Sequence, residues 1–424
     1  MSRRTRTVKV RGATVTLWFA GAVLSGISCR NDDVAGPVDP GANAVPSSVP
    51  AAAAAALAFS QVSASGGSFQ PHTCGVTTDN RAYCWGSNHI GQLGVGTNTG
   101  PENCPLPSVS RDACSTRPVA VLGGLRFRQV SAGGTHTCGV TIDYRAYCWG
   151  ANHASQLGDG TTTGRLAPVA VAGGLKFRRV DGGFLHTCGV SYPDDRAYCW
   201  GWNVSAQLGD GTKTQRLSPV AVAGGRLFSH VSAGQFHTCG VTTSGVVFCW
   251  GRNQEGQLGD SGTVNRRRPS QVAGTRRFRQ VDAGERHTCA VANSSRAFCW
   301  GDGQSGQIGN GKRYMSSWPR AVSGGLSFDR VTAGGSHTCG ETNTNRAYCW
   351  GFGTALGDGT SGVALTPVAV AGGLTFSQVS AGGDYTCGKT TAAVAYCWGD
   401  NDSGNLGDGT TGERLTPRPV AGPI

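Results

Sequence analysis

The chain has 424 residues with 37 basic and 25 acidic side chains, which give a formal net charge of +12. Residues 29–424 hold 32 of the basic side chains and all 25 acidic ones, because five positive charges lie in the first 28 residues. This mild excess is too small to indicate a dedicated nucleic-acid-binding protein. The 17 cysteines indicate an exported protein with disulfide bonds.

Residues 1–28 have the layout of an export signal. Five basic residues precede an apolar run from about Ala13 to Leu24, which is too short for an ordinary membrane span. Cys29 follows, and the residues before it resemble a lipoprotein cleavage box, although Gly26 stands where an aliphatic residue is expected. We therefore expect the segment to be removed and Cys29 to be lipidated. Ordinary secretion and an uncleaved anchor are the alternatives.

Residues 29–56 consist mainly of Ala, Pro, Ser, Gly, Val and Asp, and include six consecutive alanines from Ala51. No amphipathic pattern occurs, so we predict a flexible tether that holds the next domain away from a membrane surface. A short helix within the alanine run is the alternative. The domain itself covers residues 57–424.

A unit of about fifty residues occurs seven times in this domain. Its core is HTCGVT at 136–141 and, after a short gap, RAYCWG at 145–150. Val, Thr, Tyr, Phe and Trp dominate short runs that Gly, Asp, Asn and Pro separate, which predicts four β-strands per unit. Self-similarity at this period is typical of propellers and solenoids. We therefore predict an all-β fold, a seven-bladed β-propeller of four-stranded antiparallel blades.

Two cysteines recur in every unit, and the third unit has one extra residue between them. If Cys74 faces Cys84 across an antiparallel hairpin, Tyr83 and Trp85 lie on the opposite face of the sheet. Directly opposed residues have Cα atoms roughly 4.5 Å apart, which a disulfide can span. We predict eight disulfides, with Cys29 left over. The pairs are Cys74–Cys84, Cys104–Cys114, Cys138–Cys148, Cys188–Cys199, Cys239–Cys249, Cys289–Cys299, Cys339–Cys349 and Cys387–Cys397.

The first unit carries an insertion at about residues 98–115, which contains Cys104 and Cys114. We predict a disulfide-closed loop that projects from one rim of the propeller. The sequence leaves open whether this loop contacts a partner or is only a tolerated excursion. It also leaves open whether each blade is built within one unit or the termini exchange a strand.

A zinc site is an alternative role for the cysteines. His72 and Cys74 share a strand face, with Cys84 opposite, so each blade could offer one imidazole and two thiolates. Tyr385 replaces the histidine in the seventh unit although its cysteines remain. This difference favours disulfides and leaves the histidine a structural role, so we predict no metal and no cofactor.

An Asp follows Leu-Gly in several units and could suggest calcium. One carboxylate per unit falls short of the roughly six to eight oxygen ligands that calcium prefers, so a turn residue is favoured. No nucleophile elbow, zinc-protease motif or phosphate-binding loop occurs, so we predict no catalytic residues and no enzymatic activity. The Asp positions are Asp159, Asp210, Asp358 and Asp408.

The repeat resembles that of the regulator of chromosome condensation family. The resemblance rests on AGGTHT at 132–137, YCWGAN at 147–152 and QLGDG at 156–160, and it covers residues 57–424. It implies a seven-bladed propeller, although the paired cysteines set this chain apart from the family's nuclear members. The functions that the family implies are nucleotide exchange on a small nuclear GTPase, chromatin contact, ultraviolet sensing through tryptophans and, in secreted bacterial members, inhibition of β-lactamases.

Two of these functions fit the chain poorly. Nucleotide exchange requires an intracellular GTPase, whereas the N-terminal segment indicates export. The photoreceptor's Gly-Trp-Arg-His-Thr runs are missing, since the corresponding segments read GFLH at 183–186, GQFH at 234–237 and GERH at 284–287. Of the functions that the resemblance implies, recognition of another protein remains, which is expected of a bacterial exported member of the family.

Positions that differ between otherwise similar units are free to contact a partner, and aromatic and Arg side chains there are common binding anchors. The alternative is that these positions vary only because the loops are unconstrained and their sequence drifts. We predict partner contacts at Phe184, Leu185, Phe236, Arg286 and Trp318. The further candidates are Trp202, Asn203, Gln235, Arg252, Glu285, Tyr314 and Met315.

One dense basic cluster could bind nucleic acid or an anionic surface. A solvated basic rim is favoured instead, because an exported protein meets no chromosome. The cluster consists of Arg266, Arg267, Arg268, Arg276, Arg277 and Arg279.

These features together predict an exported, lipid-anchored and monomeric propeller at the outer membrane or cell surface, or otherwise in the periplasm or secreted. It recognises an unidentified protein partner and binds no nucleic acid. A nucleotide exchange factor, as the family resemblance implies, is one alternative. An envelope enzyme that uses the propeller face is the other, and a cluster of inward carboxylates would favour it.

Overall fold

The computed structural model describes residues 56–67, 70–104 and 112–424. These residues form seven antiparallel sheets, each built from one repeat unit, and neighbouring sheets pack into a closed ring. Six sheets have their four strands in sequence order, and in the sheet of blade 1 the fifth strand along the chain lies between the third and the fourth. The predicted all-β, seven-bladed propeller is confirmed. Blade 1 has a fifth strand, and the 3-10 turn Thr354–Leu356 is the only helical segment in the described part of the chain.

Each blade runs from an inner strand beside the central channel to an outer strand at the rim. The inner strands are β1 (Phe59–Ala64), β6 (Phe127–Ala132), β10 (Phe177–Gly182), β14 (Phe228–Ala233), β18 (Phe278–Ala283), β22 (Phe328–Ala333) and β26 (Phe376–Ala381). The second strands are β2 (His72–Thr77), β7 (His136–Thr141), β11 (His186–Ser191), β15 (His237–Thr242), β19 (His287–Ala292), β23 (His337–Thr342) and β27 (Tyr385–Thr390).

The two remaining strands of each blade lie farther from the channel. The third strands are β3 (Ala82–Ser87), β8 (Ala146–Gly150), β12 (Ala197–Gly201), β16 (Val247–Gly251), β20 (Ala297–Gly301), β24 (Ala347–Phe352) and β28 (Ala395–Gly399). The outer strands are β5 (Asp112–Ala120), β9 (Arg165–Ala170), β13 (Arg216–Ala221), β17 (Arg266–Gln271), β21 (Ser316–Ala321), β25 (Val363–Ala369) and β29 (Arg414–Pro419), and blade 1 adds β4 (Glu102–Cys104).

The register of the central hairpin is the predicted one. In blade 1, Cys74 pairs with Cys84, and Trp85 faces Thr73. The seven repeat disulfides join Cα atoms that are 4.0–4.1 Å apart. The extra residue of the third unit lies in the turn after Ser191, so the strand pairing is unchanged there.

The hydrophobic core lies between neighbouring blades. Phe127 and Trp149 of blade 2 cluster with Cys74 and Cys84 of blade 1. Trp85 of blade 1 packs in the same way on blade 7. Because the aromatic residues and the disulfide occupy opposite faces of a sheet, every blade offers an indole to one neighbour and a disulfide to the other.

The insertion of blade 1 forms a short outer hairpin rather than only a loop. Strand β4 pairs with the beginning of β5, and the predicted disulfide between Cys104 and Cys114 is present, with Cα atoms 5.8 Å apart. Strand β5 has nine residues, so it extends beyond β3 and leaves an edge on which β4 can pair. The rest of the insertion, residues 105–111, lies outside the described residues.

The ring closes without strand exchange, because blades 1 and 7 each use strands of their own unit. The side-chain amide of Gln378 bonds both the N–H and the C=O of Val62, at 3.2 and 2.9 Å. The hydroxyl of Ser380 accepts the Ala64 N–H at 3.0 Å. Closure therefore uses the same side-chain bridges that join other neighbouring blades.

The predicted signal of residues 1–28, most of the tether and the lipidation of Cys29 lie outside the described residues. In the described ranges, no helix is both long and apolar enough to cross a membrane. Eight disulfides are typical of a protein that matures in an oxidising compartment.

Candidate recognition face

The propeller has two ends, which differ in their loops. We name the end where inner strands finish and second strands begin the loop face, and the opposite end the turn face. The predicted residues Phe184, Leu185, Phe236 and Arg286 all lie on the loop face, in the connections between inner and second strands.

A ring of buried His and Thr side chains supports the loop face. The hydroxyl of Thr187 donates to the carbonyl of Gln156 at 2.8 Å, so it accepts from His136 Nε2, also at 2.8 Å. Burial lowers the pKa of His136 to about 3, so this imidazole stays neutral. The recurring histidine is therefore structural, as predicted. The further pairs are His72–Thr137, His186–Thr238, His237–Thr288, His287–Thr338 and His337–Thr386.

A ring of glycines closes the channel beneath the loop face. The Phe184 N–H donates to the Gly234 carbonyl at 3.2 Å, and Gln235 repeats the contact with Gly284 of the next blade. A Cβ on Gly183 would lie 2.5 Å from the Gly234 oxygen, so only glycine permits this approach. The backbone of the residue after each such glycine is therefore hydrogen-bonded to the next blade, and its side chain lies at the mouth of the channel.

The two variable positions of each blade lie side by side on this face. The N–H of the residue after Trp-Gly donates to the carbonyl of the residue before His. Trp202 bonds Leu185 in this way at 2.9 Å, and Arg252 bonds Phe236 at 2.9 Å. The corresponding pairs in the following blades are Asp302–Arg286, Phe352–Ser336 and Asp400–Asp384.

Five side chains of the loop face form what we name the aromatic sector: Phe184, Leu185, Trp202, Phe236 and Arg252. The rings of Phe184 and Phe236 meet edge to face, with centroids 6.0 Å apart. The Arg252 guanidinium lies 6.0 Å from the Phe236 centroid and forms an ion pair with Glu255 at 2.7 Å. All five side chains are half-buried, so each keeps surface for a partner.

An acidic sector lies on blades 5 and 7 of the same face and consists of Glu285, Asp384, Asp400 and Asp402. Burial and the charges of Asp402 and Asp384 raise the pKa of Asp400 to about 6. Burial and Asp384 also raise the pKa of Glu285, against the opposing effect of Arg286. Sequence reasoning named Glu285 but missed the aspartates, although Asp384 and Asp400 occupy the same repeat positions as Phe236 and Arg252.

Other predicted residues lie elsewhere. Asn203 is buried, donates to Asp210 at 3.3 Å and accepts the Leu208 N–H at 3.0 Å, so its inclusion among the variable binding positions was wrong. Equivalent asparagines hold the same turn in other blades. Trp318 is 48% exposed but lies on the outermost strand of blade 5, and Tyr314 and Met315 precede that strand.

The recurring aspartates and part of the basic cluster belong to the framework. Asp159 accepts the Thr161 N–H at 3.0 Å and pairs with Arg165 at 2.7 Å, as expected of a turn residue. Arg266 makes the equivalent ion pair with Asp260 at 2.6 Å. The remaining arginines of the basic cluster, Arg267, Arg268, Arg276, Arg277 and Arg279, are exposed.

Comparison with known proteins places these features in a family. The profile of the RCC1-like domain matches residues 40–338, and that of the regulator of chromosome condensation (RCC1) repeat matches residues 394–424. The ultraviolet-B receptor UVR8 of Arabidopsis thaliana is 33% identical over 169 residues, which cover 39% of this chain and 36% of the receptor. The human E3 ubiquitin-protein ligase HERC2 is 30% identical over 181 residues, which cover 42% of this chain and 4% of the ligase. The matched segments thus span about a third or less of these relatives.

Solved structures share the fold at low sequence identity. Human WBSCR16 has a TM-score of 0.71 at 21% identity, over 80% of this chain and 94% of its own. Prp20p from Saccharomyces cerevisiae, described with its binding to Gsp1p and histones, has a TM-score of 0.67 at 20% identity, over 81% and 87% of the two chains. Because the RCC1-like profile covers well over half of the sequence, this chain belongs to the RCC1-like domain family.

Proposed function

We propose that this protein is an exported, non-catalytic recognition propeller that binds another protein through the aromatic sector of its loop face. The observation that carries the proposal is the adjacency of the two variable positions in each blade, for example Leu185 and Trp202. Identical backbone bonds hold these positions in successive blades, while their side chains differ. Aromatic and Arg side chains on a rigid framework are typical anchors of protein interfaces.

The charge of the loop face suggests the chemistry of the partner. Apolar side chains would pack on the aromatic sector, and Lys or Arg side chains would lie against the acidic sector of Glu285, Asp384, Asp400 and Asp402. Complementary charge of this kind contributes mainly to association rate and specificity. Binding of Gsp1p and histones by Prp20p supports the use of this fold in protein recognition. The ligase name of HERC2 supports no activity here, because the match covers 4% of that protein.

A site-specific photo-cross-linking experiment in the native cells tests the binding face. Benzoyl-phenylalanine would replace Phe236 or Trp202 on the loop face and, as a control, Tyr192 in a turn of the opposite face. We expect a discrete cross-linked protein from the loop-face positions only. Equal cross-linking from Tyr192 would contradict the proposed face.

A matched pair of triple variants tests the energetics. We expect F184A/F236A/R286A to weaken capture of the cross-linked protein by about tenfold or more, without a change in melting temperature. The control variant I142A/Y192A/L227A removes apolar side chains that are 39–56% exposed on the turn face. Equal capture by the two variants would overturn the proposal.

The proposed setting is the cell envelope, with the propeller tethered through Cys29 as a monomer. Mass spectrometry of the protein purified without reductant tests this setting. We expect loss of residues 1–28, an acyl mass on Cys29 and eight intrachain disulfides. An intact N-terminus with sixteen free propeller thiols would contradict export and make an intracellular partner, such as a GTPase, the better hypothesis.

A further inference from the structure

The central channel opens at the turn face into a cavity of about 460 Å³. This volume lies within the roughly 300–1,000 Å³ range of small-ligand pockets. Each inner strand directs two side chains toward the channel, at equivalent positions two residues apart, and all of these except Ser232 line the cavity. Ser229, Arg279 and Asp329 also line it, and the last two form an ion pair at 3.3 Å. We name this cavity the channel pocket; it is separate from the loop face described above.

At the first inward position, four blades carry glutamine and use it to join the next blade. The Gln61 amide donates to the Val130 carbonyl at 2.7 Å and accepts the Val130 N–H at 2.9 Å. Gln129 bridges to Val180 in the same way, at 2.7 and 3.0 Å. These side chains are turned sideways to the neighbouring blade, so they leave the pocket open.

Three blades carry a basic side chain at this position instead: Arg179, His230 and Arg330. His230 Nε2 donates to the Val281 carbonyl at 2.8 Å, while its Nδ1 accepts from Arg179. A guanidinium has five N–H donors, and within the described chain only this one from Arg179 has a hydrogen-bond partner. The remaining donors are available to a ligand.

Arg330 does not need to bridge to the next blade, because Glu341 makes that bond. In blade 6, Glu341 accepts the Val379 N–H at 3.3 Å, which is the bond that a glutamine at position 330 would make. Blades 3 and 6 lie across the seven-membered ring from each other. Arg179 and Arg330 therefore project into the pocket from opposite sides.

At the second inward position, five blades carry Ser or Thr and blades 3 and 5 carry Asp181 and Asp282. The Ser63 hydroxyl accepts the Ala132 N–H at 3.1 Å, and the carboxylate of Asp181 makes the same contact with Ala233 at 2.8 Å. A hydroxyl thus suffices for the framework, and blades 3 and 5 bury a carboxyl group in its place. Burial and the neighbouring Asp181 raise the pKa of Asp282 to about 7. Ser232 lies between the two acids and donates to Asp282 at 3.1 Å.

The pocket therefore separates charge along its axis. The backbone positions of Asp181 and Asp282 lie two residues beyond the first inward position, about 7 Å deeper at a rise of about 3.3 Å per residue. An extended dipeptide has nearly this length between its charged ends. Its ammonium group would supply the cation that the acids lack, and its carboxylate would take the unused guanidinium donors.

We propose that the channel pocket binds a short peptide with free termini, whose carboxylate lies against Arg179 and Arg330 and whose ammonium group lies against Asp181 and Asp282. The bidentate geometry of a guanidinium suits a carboxylate. The two inward carboxylates are thereby assigned to binding rather than to catalysis.

Isothermal titration calorimetry at neutral pH, on the protein with its disulfides intact, tests the ligand class. The probes are Ala-Ala, N-acetyl-Ala-Ala, Ala-Ala amide and free alanine. We expect saturable binding of Ala-Ala, and binding weaker by about tenfold or more when either charged end is blocked. Equal binding of the acetylated probe would mean an anion site, and equal binding of the amide would mean a cation site; either result, or no saturation by Ala-Ala, overturns the proposal. Tighter binding of alanine than of Ala-Ala would contradict the proposed length.

Substitutions taken from other blades test the residues without disturbing the fold. Arg179→Gln and the double variant Arg330→Gln/Glu341→Val restore the bridging amide, since valine occupies the position of Glu341 in most other blades, and Asp181→Ser and Asp282→Ser restore the hydroxyl. We expect each to weaken Ala-Ala binding by about tenfold or more while the melting temperature stays level or rises. The control Arg128→Ser removes one positive charge from the same end but does not line the pocket. Undiminished binding by the four variants, or an equal loss in the control, would overturn the proposal.

Discussion

Six buried histidines connect every blade to the next except at the ring closure, and each must remain neutral to do so. The pKa values of His136, His186, His237 and His287 fall to about 3, and those of His72 and His337 to about 4, chiefly because burial penalises the charged form. Each Nε2–H group donates to a threonine of the neighbouring blade. Protonation of these side chains is therefore linked to unfolding.

We predict that the propeller loses stability on acidification below about pH 6.5. Between that value and about pH 4 the unfolded state binds protons at these histidines while the folded state does not, so the free energy of unfolding falls as the pH falls. Each histidine contributes about 1.4 kcal/mol per pH unit in this range. Asp282 and Glu341 act in the opposite sense, because burial raises their pKa values to about 7. Calorimetric melting between pH 8 and pH 4 checks this, and a constant melting temperature from pH 7 to pH 5 would contradict it.

At the scale of the structural element, the central hairpin of each blade is stabilised by a disulfide that packs under an indole. Cys188 and Cys199 cluster with Trp250 of the next blade, whereas Cys104 and Cys114 join only an outer hairpin. We predict that C188A/C199A lowers the free energy of unfolding by about 2–3 kcal/mol. Urea unfolding without reductant is the measurement. The control C104A/C114A opens a loop of nearly the same length, 10 residues against 11, so a larger loss in C188A/C199A measures the buried indole contact; equal losses would show that this contact is irrelevant.

The hairpin also shows what can be derived from an element alone. Counting along the strands placed Cys74 opposite Cys84 and Trp85 opposite Thr73, because side-chain alternation is a local property of the backbone. The role of Asn203 could not be derived in that way. Its contacts with Asp210 and Leu208 form only when the long connection folds back on itself.

The whole molecule depends on one closure that differs from the six other blade interfaces. The Tyr385 hydroxyl replaces the histidine, donates to the His72 carbonyl at 2.6 Å and accepts the Ser65 N–H at 2.9 Å. We predict that Tyr385→Phe costs about 1 kcal/mol, because the hydrogen bonds of the buried hydroxyl across the closure are lost, while the Ser65 N–H keeps the His72 carbonyl as its partner at 3.0 Å. Hydrogen exchange should accelerate first in β1, β2 and β27.

The matched control for this closure is Tyr396→Phe, since phenylalanine already occupies the equivalent positions 248 and 298. We expect it to leave exchange unchanged. Uniform acceleration around the ring in Tyr385→Phe would mean that blade 7 and blade 1 do not form a distinct point of opening.

The sequence by itself determined the number of blades, the strands of each unit, the hairpin register and the disulfide pairs. All of these depend on periodicity, alternation and turn residues within about fifty positions of one another. Only the tertiary structure decided that Trp202 lies beside Leu185, that Arg179 and Arg330 face one pocket, and that the ring closes without strand exchange. These relationships join residues of separate loops or separate blades, so they depend on how seven sheets pack around an axis rather than on any local pattern.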